Sequence, residues 1–270
     1  MLQDKYVTVD GLRTRYLEAG EGKPVVLVHG AALGTSADCW KANMEALSGR
    51  GLRLLAPDLP GYGHTDMPSD HSVRFRRHFI LNFMDVLDIP RAALAGHSLG
   101  GQIVAQLAFA QPERVERIMV LATGSLLPPL PGGVVSGGPD SRPMQEPTLE
   151  ETRAELESTT ADHSKLTDDL VGGRRQMSLG RNFEASLARM SAPADPPVDP
   201  PIWARLDELP VPARFLYGNQ DRGSAGQRAQ IMREKYPTLD LHTFDDCKHN
   251  LMWDKSTEFE SLAAEFLLAT

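Results

Sequence analysis

Short apolar runs alternate with helix-period segments along most of the chain. Tyr6, Val7 and Val9 alternate with polar neighbours, and the alternation resumes from Leu12 to Leu17 after Asp10-Gly11. That pattern predicts a β-hairpin. Pro24 to Val28 is a continuous apolar run ending in His29-Gly30. Such runs suit strands buried on both faces of a parallel sheet. The same signature returns at Leu52 to Ala56, Ala92 to Ala95, Ile118 to Ala122 and Arg214 to Tyr217, with a last strand from Leu239 to Phe244. Between them the spacing predicts helices over Ala37 to Leu47, Val73 to Leu87, Leu99 to Ala110, Ser224 to Tyr236 and Thr257 to Leu268. Strands and helices in alternation imply an α/β fold, a mostly parallel sheet with helices on both faces.

One segment breaks the alternation. From Ser125 to about Pro201 no strand-like run occurs. Leu126 to Pro147 is rich in Pro and Gly and reads as an irregular loop. Thr148 to Met190 is helical in pattern, with Thr148 as N-cap and Glu150 and Glu151 in the first turn. A second Pro-rich run, Pro193 to Pro201, leads back to the sheet. The expected organisation is a core of residues 1–124 and 202–270 with a helical insertion at 125–201. An insertion placed there suits a lid over a site, or else a helical packing element away from it.

At 270 residues the chain can build one large core carrying such an insertion. The net charge of −8 argues against nucleic acid or an anionic membrane as partner, since both reward clustered Lys and Arg. A small-molecule substrate is the expected partner. No stretch approaches the roughly 20 apolar residues of a membrane span, and Met1 to Asp10 carries charges rather than a leader-like apolar run. These features predict a cytoplasmic protein. Its two cysteines, Cys39 and Cys247, form no disulfide framework, and no metal-ligand spacing is present. No metal and no cofactor is expected.

The chemistry concentrates where strands end. Ala92 to Ala95 runs into Gly96-His97-Ser98-Leu99-Gly100 and then into a helical pattern. This is G-x-S-x-G between a strand and a helix, a sharp turn that projects the Ser98 hydroxyl above the sheet edge. Only residues without a bulky side chain fit at Gly96 and Gly100. The helix that follows aims its first amides at the space above Ser98. A serine hydroxyl needs a base, and the base an orienting carboxylate. Asp221 follows the strand Phe215-Leu216-Tyr217, and His249 follows the last strand; both fall at carboxyl strand ends, where open α/β sheets bind ligands. His29, His64, His71, His78, His163 and His242 suit solvated or structural positions. Asp245 and Asp246 are alternative acids but lie too close to His249 to brace it easily, and Asp195 and Asp199 are further alternatives. His97 is read as pocket wall. Small residues after the early strand, Gly30 and Ala31, let backbone approach a bound carbonyl, so the amides of Ala31 and Leu99 are the expected oxyanion hole. Asp58 to Thr65 is read as a structural turn beneath the site.

Together these motifs resemble the α/β-hydrolase superfamily across nearly the whole chain. The resemblance implies an eight-stranded sheet, a helical cap and a triad of Ser98, Asp221 and His249. The Ser98 hydroxyl disfavours the aspartate-nucleophile branches. The stretch Pro147 to Thr152 through Leu170 to Arg175 is similar to the cap of meta-cleavage-product hydrolases, which split a carbon–carbon bond in 2-hydroxy-6-oxo-dienoates. That resemblance implies Arg174 as the substrate's carboxylate anchor, a role that suits a guanidinium; the alternative is that Arg174 and Arg175 solvate a cap helix. It also brings in a homodimer, common among such families. Two positions depart: His97 stands where asparagine is usual, and Asn250 where tryptophan is usual, with Trp253 a candidate aromatic wall. His97 is what ordinary esterases of the superfamily show. The readings carried forward are a carbon–carbon bond hydrolase, a carboxylesterase or lactonase, and a non-catalytic ligand receptor on the same fold.

Overall fold

The computed structural model describes residues 2–132 and 144–269. The centre of the Pro- and Gly-rich stretch at Leu126 to Pro147 therefore lies outside the described residues. Strands β1 (Asp4–Val9) and β2 (Leu12–Ala19) form the expected hairpin, paired from Asp4 with Leu17 to Val9 with Leu12. Then follow β3 (Lys23–Val28), α1 (Lys41–Leu47), β4 (Leu52–Pro57), α2 (Val73–Val86), β5 (Ala92–His97), α3 (Leu99–Ala110) and β6 (Val115–Leu121). Helices α4 (Leu149–Thr159), α5 (Asp168–Gln176) and α6 (Arg181–Ser191) intervene before β7 (Ala213–Gly218). The chain ends with α7 (Ala225–Lys235), β8 (Asp240–Phe244), α8 (Leu251–Asp254) and α9 (Ser256–Leu268).

The sheet has eight strands in the order β1-β2-β4-β3-β5-β6-β7-β8. β1 and β2 are antiparallel, and β4, β3, β5, β6, β7 and β8 run parallel. The apolar runs explain this layout. A strand's side chains alternate between faces, so a continuous apolar run feeds two cores at once. Val26, Val28, Leu55, Leu94 and Val120 face one core with Phe79 and Phe83 of α2, Val104 of α3 and Met232 of α7. Val25, Leu27, Leu54, Ala93, Met119 and Leu121 face the other, with Trp40, Met44 of α1 and Phe259 of α9. Each fully buried Leu or Phe contributes roughly 1.5–3 kcal/mol. A one-residue slip in any of these strands exchanges the two sets and costs most of that.

The chain passes from β3 to β4 on one side, then crosses back to β5 on the other side of β3. Loops after β3 and β5 thus diverge, and the crevice between them is where such sheets receive ligands. Gly30 and Ala31 stand at one rim and His97 and Ser98 at the other. Helix ends are built from local chemistry: Thr148 and Glu151 form a reciprocal capping box at the start of α4, and Thr167 caps α5. Among the described residues no helix is long and apolar enough to cross a membrane.

Candidate active site

Ser98 sits between β5 and α3 with φ 55° and ψ −117°, a conformation that costs a non-glycine residue roughly 1–3 kcal/mol. The surroundings hold it there. Its amide donates to the Leu121 carbonyl at 2.8 Å, and Thr123 Oγ1 donates to its carbonyl at 3.0 Å. A side chain at Gly96 would overlap the backbone of Gly100, and one at Gly100 would overlap the Val28 carbonyl. The two glycines are therefore a steric requirement of the turn. Across the crevice, a Cβ on Gly30 would come within 3.1 Å of the Ser98 Cβ, so the end of β3 lies directly against the elbow.

His249 and Asp221 are brought together although 28 positions apart: Nδ1 lies 3.0 Å from Oδ2 and 3.2 Å from Oδ1, with both residues buried. An ionised carboxylate can only accept, so the proton of the neutral ring sits on Nδ1 and Nε2 offers its lone pair. Asp221 Oδ1 also accepts the Arg222 amide at 2.7 Å, which fixes the carboxylate in turn. Ser98 and His249 line one cavity of about 560 Å³. No hydrogen bond joins Ser98 Oγ to the imidazole among the described residues; Nε2 is met instead by Arg222 Nη2 at 3.3 Å. Asp245 and Asp246 turn to Asn219 and Gln220, and Asp195 caps the amide of Val73.

The amides expected to form the oxyanion hole, those of Ala31 and Leu99, have no hydrogen-bond partner among the described residues. Gly30 and Ala31 line the cavity, while the Leu99 side chain packs into the core beneath. The Asp58 to Thr65 turn buttresses this rim. Asp58, wholly buried, accepts the amides of Ala37 at 2.7 Å and His64 at 2.8 Å and pairs with buried Arg15. Tyr62 Oη donates to the Ala31 carbonyl at 3.5 Å. His29 donates from Nδ1 to the Gly30 carbonyl at 2.7 Å and accepts the Leu59 amide at Nε2 at 2.9 Å. Burial pushes its imidazole down to about 3, so it is a neutral structural bolt.

His97 does more than line the wall. Its Nε2–H donates to the backbone carbonyl of His249 at 2.9 Å, and the two rings lie 4.7 Å apart. Burial, and then the neighbouring His249, hold its pKa well below the ordinary imidazole value. Arg174, on α5, lines the cavity and reaches the Leu33 carbonyl at 3.4 Å. Asn250 also lines it, but its Nδ2 is spent on Thr159 and Thr160 Oγ1 at the end of α4. Trp253 is not among the lining residues. Its indole donates to the Cys39 carbonyl at 2.9 Å and faces a neighbouring cavity of about 480 Å³, so the expected aromatic wall lies outside the Ser98 chamber. Arg222 is among the lining residues that sequence reasoning missed, and its only signal is that it directly follows Asp221 in the same turn. Among the described residues no cluster of His, Cys, Asp and Glu could hold a metal ion.

Comparison with known proteins shows what the whole chain resembles. The chain is 31% identical to a 2-hydroxy-6-oxononadienedioate/2-hydroxy-6-oxononatrienedioate hydrolase of Burkholderia vietnamiensis, over 97% of this chain and 95% of that one. It is 29% identical to a 2-hydroxymuconate semialdehyde hydrolase of a Pseudomonas species, over 95% of this chain and 91% of that one. Among solved structures, the meta-cleavage product hydrolase CumD from Pseudomonas fluorescens IP01 superposes with a TM-score of 0.80 at 28% identity, over 97% of this chain and 96% of that one. Residues 25–262 match the profile of the alpha/beta hydrolase family, and the chain belongs to that family.

Proposed function

We propose that this enzyme hydrolyses a carbon–carbon bond in a 2-hydroxy-6-oxo-dienoate-type ketone, with Ser98 as nucleophile, His249 as base and Asp221 as its orienting acid. The dienol first ketonises in the cavity, with its carboxylate held by Arg174. His249 Nε2 takes the Ser98 proton as Oγ bonds to the carbonyl carbon. The amides of Ala31 and Leu99 receive the oxyanion, each worth roughly 3 kcal/mol in comparable sites. Collapse breaks the carbon–carbon bond, and the leaving carbon takes the proton from the imidazolium. Water deprotonated by His249 then releases the acyl group and restores Ser98. In this reading α4, α5 and α6 form a cap over the chamber.

The supporting observation is that Arg174 and Ser98 line one cavity, which is what a substrate with a carboxylate at one end and a ketone along its chain requires. Full-length similarity to hydrolases of such compounds points the same way. The test is turnover of a dienoate ring-fission product against p-nitrophenyl esters. The expected result is preference for the dienoate, abolished in Ser98→Ala and lost for acidic substrates in Arg174→Ala. His97 favours an ester reading, and faster turnover of the esters, indifferent to Arg174, would establish that one instead.

A further inference from the structure

Two arginines line the Ser98 cavity, and the second grips the atom on which proton transfer depends. Nδ1–H of His249 is committed to Asp221, leaving one lone pair, on Nε2. Arg222 Nη2 donates to it at 3.3 Å. A ring nitrogen has one in-plane lone pair, so Ser98 Oγ and the guanidinium compete for it. Arg222 is also poorly anchored. It is exposed, and its guanidinium makes no ion pair among the described residues. Its own neighbour Asp221 takes only its backbone amide, at 2.7 Å. The cavity's carboxylates belong to α4: Glu151 is turned to the Thr148 amide at 2.7 Å, and Glu155 is exposed.

Resting on the hydrolase reading above, we propose that Arg222 is a second anion anchor and selects substrates with a carboxylate at each end. One carboxylate meets Arg174; the other draws the Arg222 guanidinium from Nε2 and leaves that nitrogen open to the Ser98 proton. A carboxylate is the ligand of choice for the withdrawn guanidinium because it offers two charged acceptors in the matching fork geometry, where the imidazole offers one neutral acceptor. A substrate acidic at one end only leaves Arg222 across the base and turns over slowly.

The experiment compares the wild type with Arg222→Met, Arg222→Lys and Ser98→Ala in two assays. The first is the labelling rate with an uncharged fluorophosphonate ester. The second is kcat and KM on matched dienoate ketones carrying one or two carboxylates. Removing the guanidinium is expected to speed labelling roughly tenfold, the equivalent of ~1.4 kcal/mol. The same variant loses roughly tenfold in kcat/KM on the diacid, mainly through KM, while kcat on the monoacid rises. Arg222→Lys keeps part of the diacid preference. Unchanged labelling together with an unchanged diacid-to-monoacid ratio in Arg222→Met overturns the proposal. Labelling that survives in Ser98→Ala sinks the serine-nucleophile reading itself, an outcome readily told apart from the first.

Discussion

His97 shows how a residue beside Ser98 can act on His249. Its Nε2–H holds the backbone carbonyl of His249 at 2.9 Å, so the depth of the imidazole over Ser98 depends on it. A protonated His97 would set a cation 4.7 Å from the His249 ring, and burial keeps it neutral. His97→Ala is expected to lower kcat by roughly ten- to a hundredfold, since small misplacements of a reacting group cost that much. KM should stay within about twofold, whereas a residue that merely touched substrate would raise KM and spare kcat. Steady-state kinetics on the preferred substrate separates the two. The sequence could not disclose this role, because the partner is a main-chain carbonyl 152 positions away, and carbonyls carry no sequence signature. The placing of Ser98, Asp221 and His249 at carboxyl strand ends was legible for the opposite reason. Each is bound to a strand end by a local pattern, and chemistry demands those three residue types in company. Arg222 had no signal beyond following Asp221, and Trp253, three positions after Asn250, turns its indole to the Cys39 carbonyl and the neighbouring cavity, a direction that spacing does not fix.

Among elements, the loops that follow β3 and β4 are fastened to each other through His29. Its ring bridges the end of β3 and the Leu59 amide after β4 only while neutral. Folding lowers its pKa from the ordinary value near 6.5 to about 3. The unfolded chain therefore binds the proton first. This contribution is complete above about pH 6.5 and is lost as pH falls toward about 3, at ~1.4 kcal/mol per pH unit. His97 adds a loss of the same sign. Urea unfolding at several values between pH 7 and pH 4 should show this decline, and His29→Gln should flatten it. An equal slope in that variant would refute the assignment. At this scale most of the fold could be read from the pattern of apolar runs. Two departures had specific causes. The segment expected as one helix over Ala37 to Leu47 opens with a tight turn at Ala37–Trp40, because Ser36 Oγ accepts the Asp38 amide and Asp58 the Ala37 amide before α1 begins at Lys41. The turn Leu251–Asp254 coils as α8 directly after His249, in a stretch too short for periodicity to register.

For the molecule as a whole, what matters is how the three-helix insertion is tied to the core. Its own apolar cluster is small: Leu156, Leu166 and Val171, with Leu170 and Trp253 packed against it. Polar bonds supply much of the rest: six converge on the segment 248–254, while Arg181 and Arg189 of α6 donate to the carbonyls of Gly61, Gly63 and Thr65. Asn250 donates its amide to the Thr159 carbonyl at 2.9 Å and its Nδ2 to Thr159 and Thr160 Oγ1. Asp254 accepts the amides of Ala161 and Asp162 with one oxygen and that of Lys248 with the other. Lys248 Nζ reaches the Glu157 carbonyl at 2.9 Å. Residues 248–254 thus hold the insertion and carry His249 at once, so displacing α4 must disturb His249. Loosening this attachment is therefore expected to do two things together. In Asn250→Ala and Asp254→Ala, each lost bond costs roughly 1 kcal/mol of local stability, and the exposed run 193–200 should be cut faster by protease. Ser98 labelling by a small fluorophosphonate should fall in parallel with turnover of the full substrate, because His249 is displaced for both. A cover that acted independently of His249 would give another result: turnover lost, labelling intact. That outcome would separate the insertion from the base and leave Asn250 and Asp254 as fasteners alone.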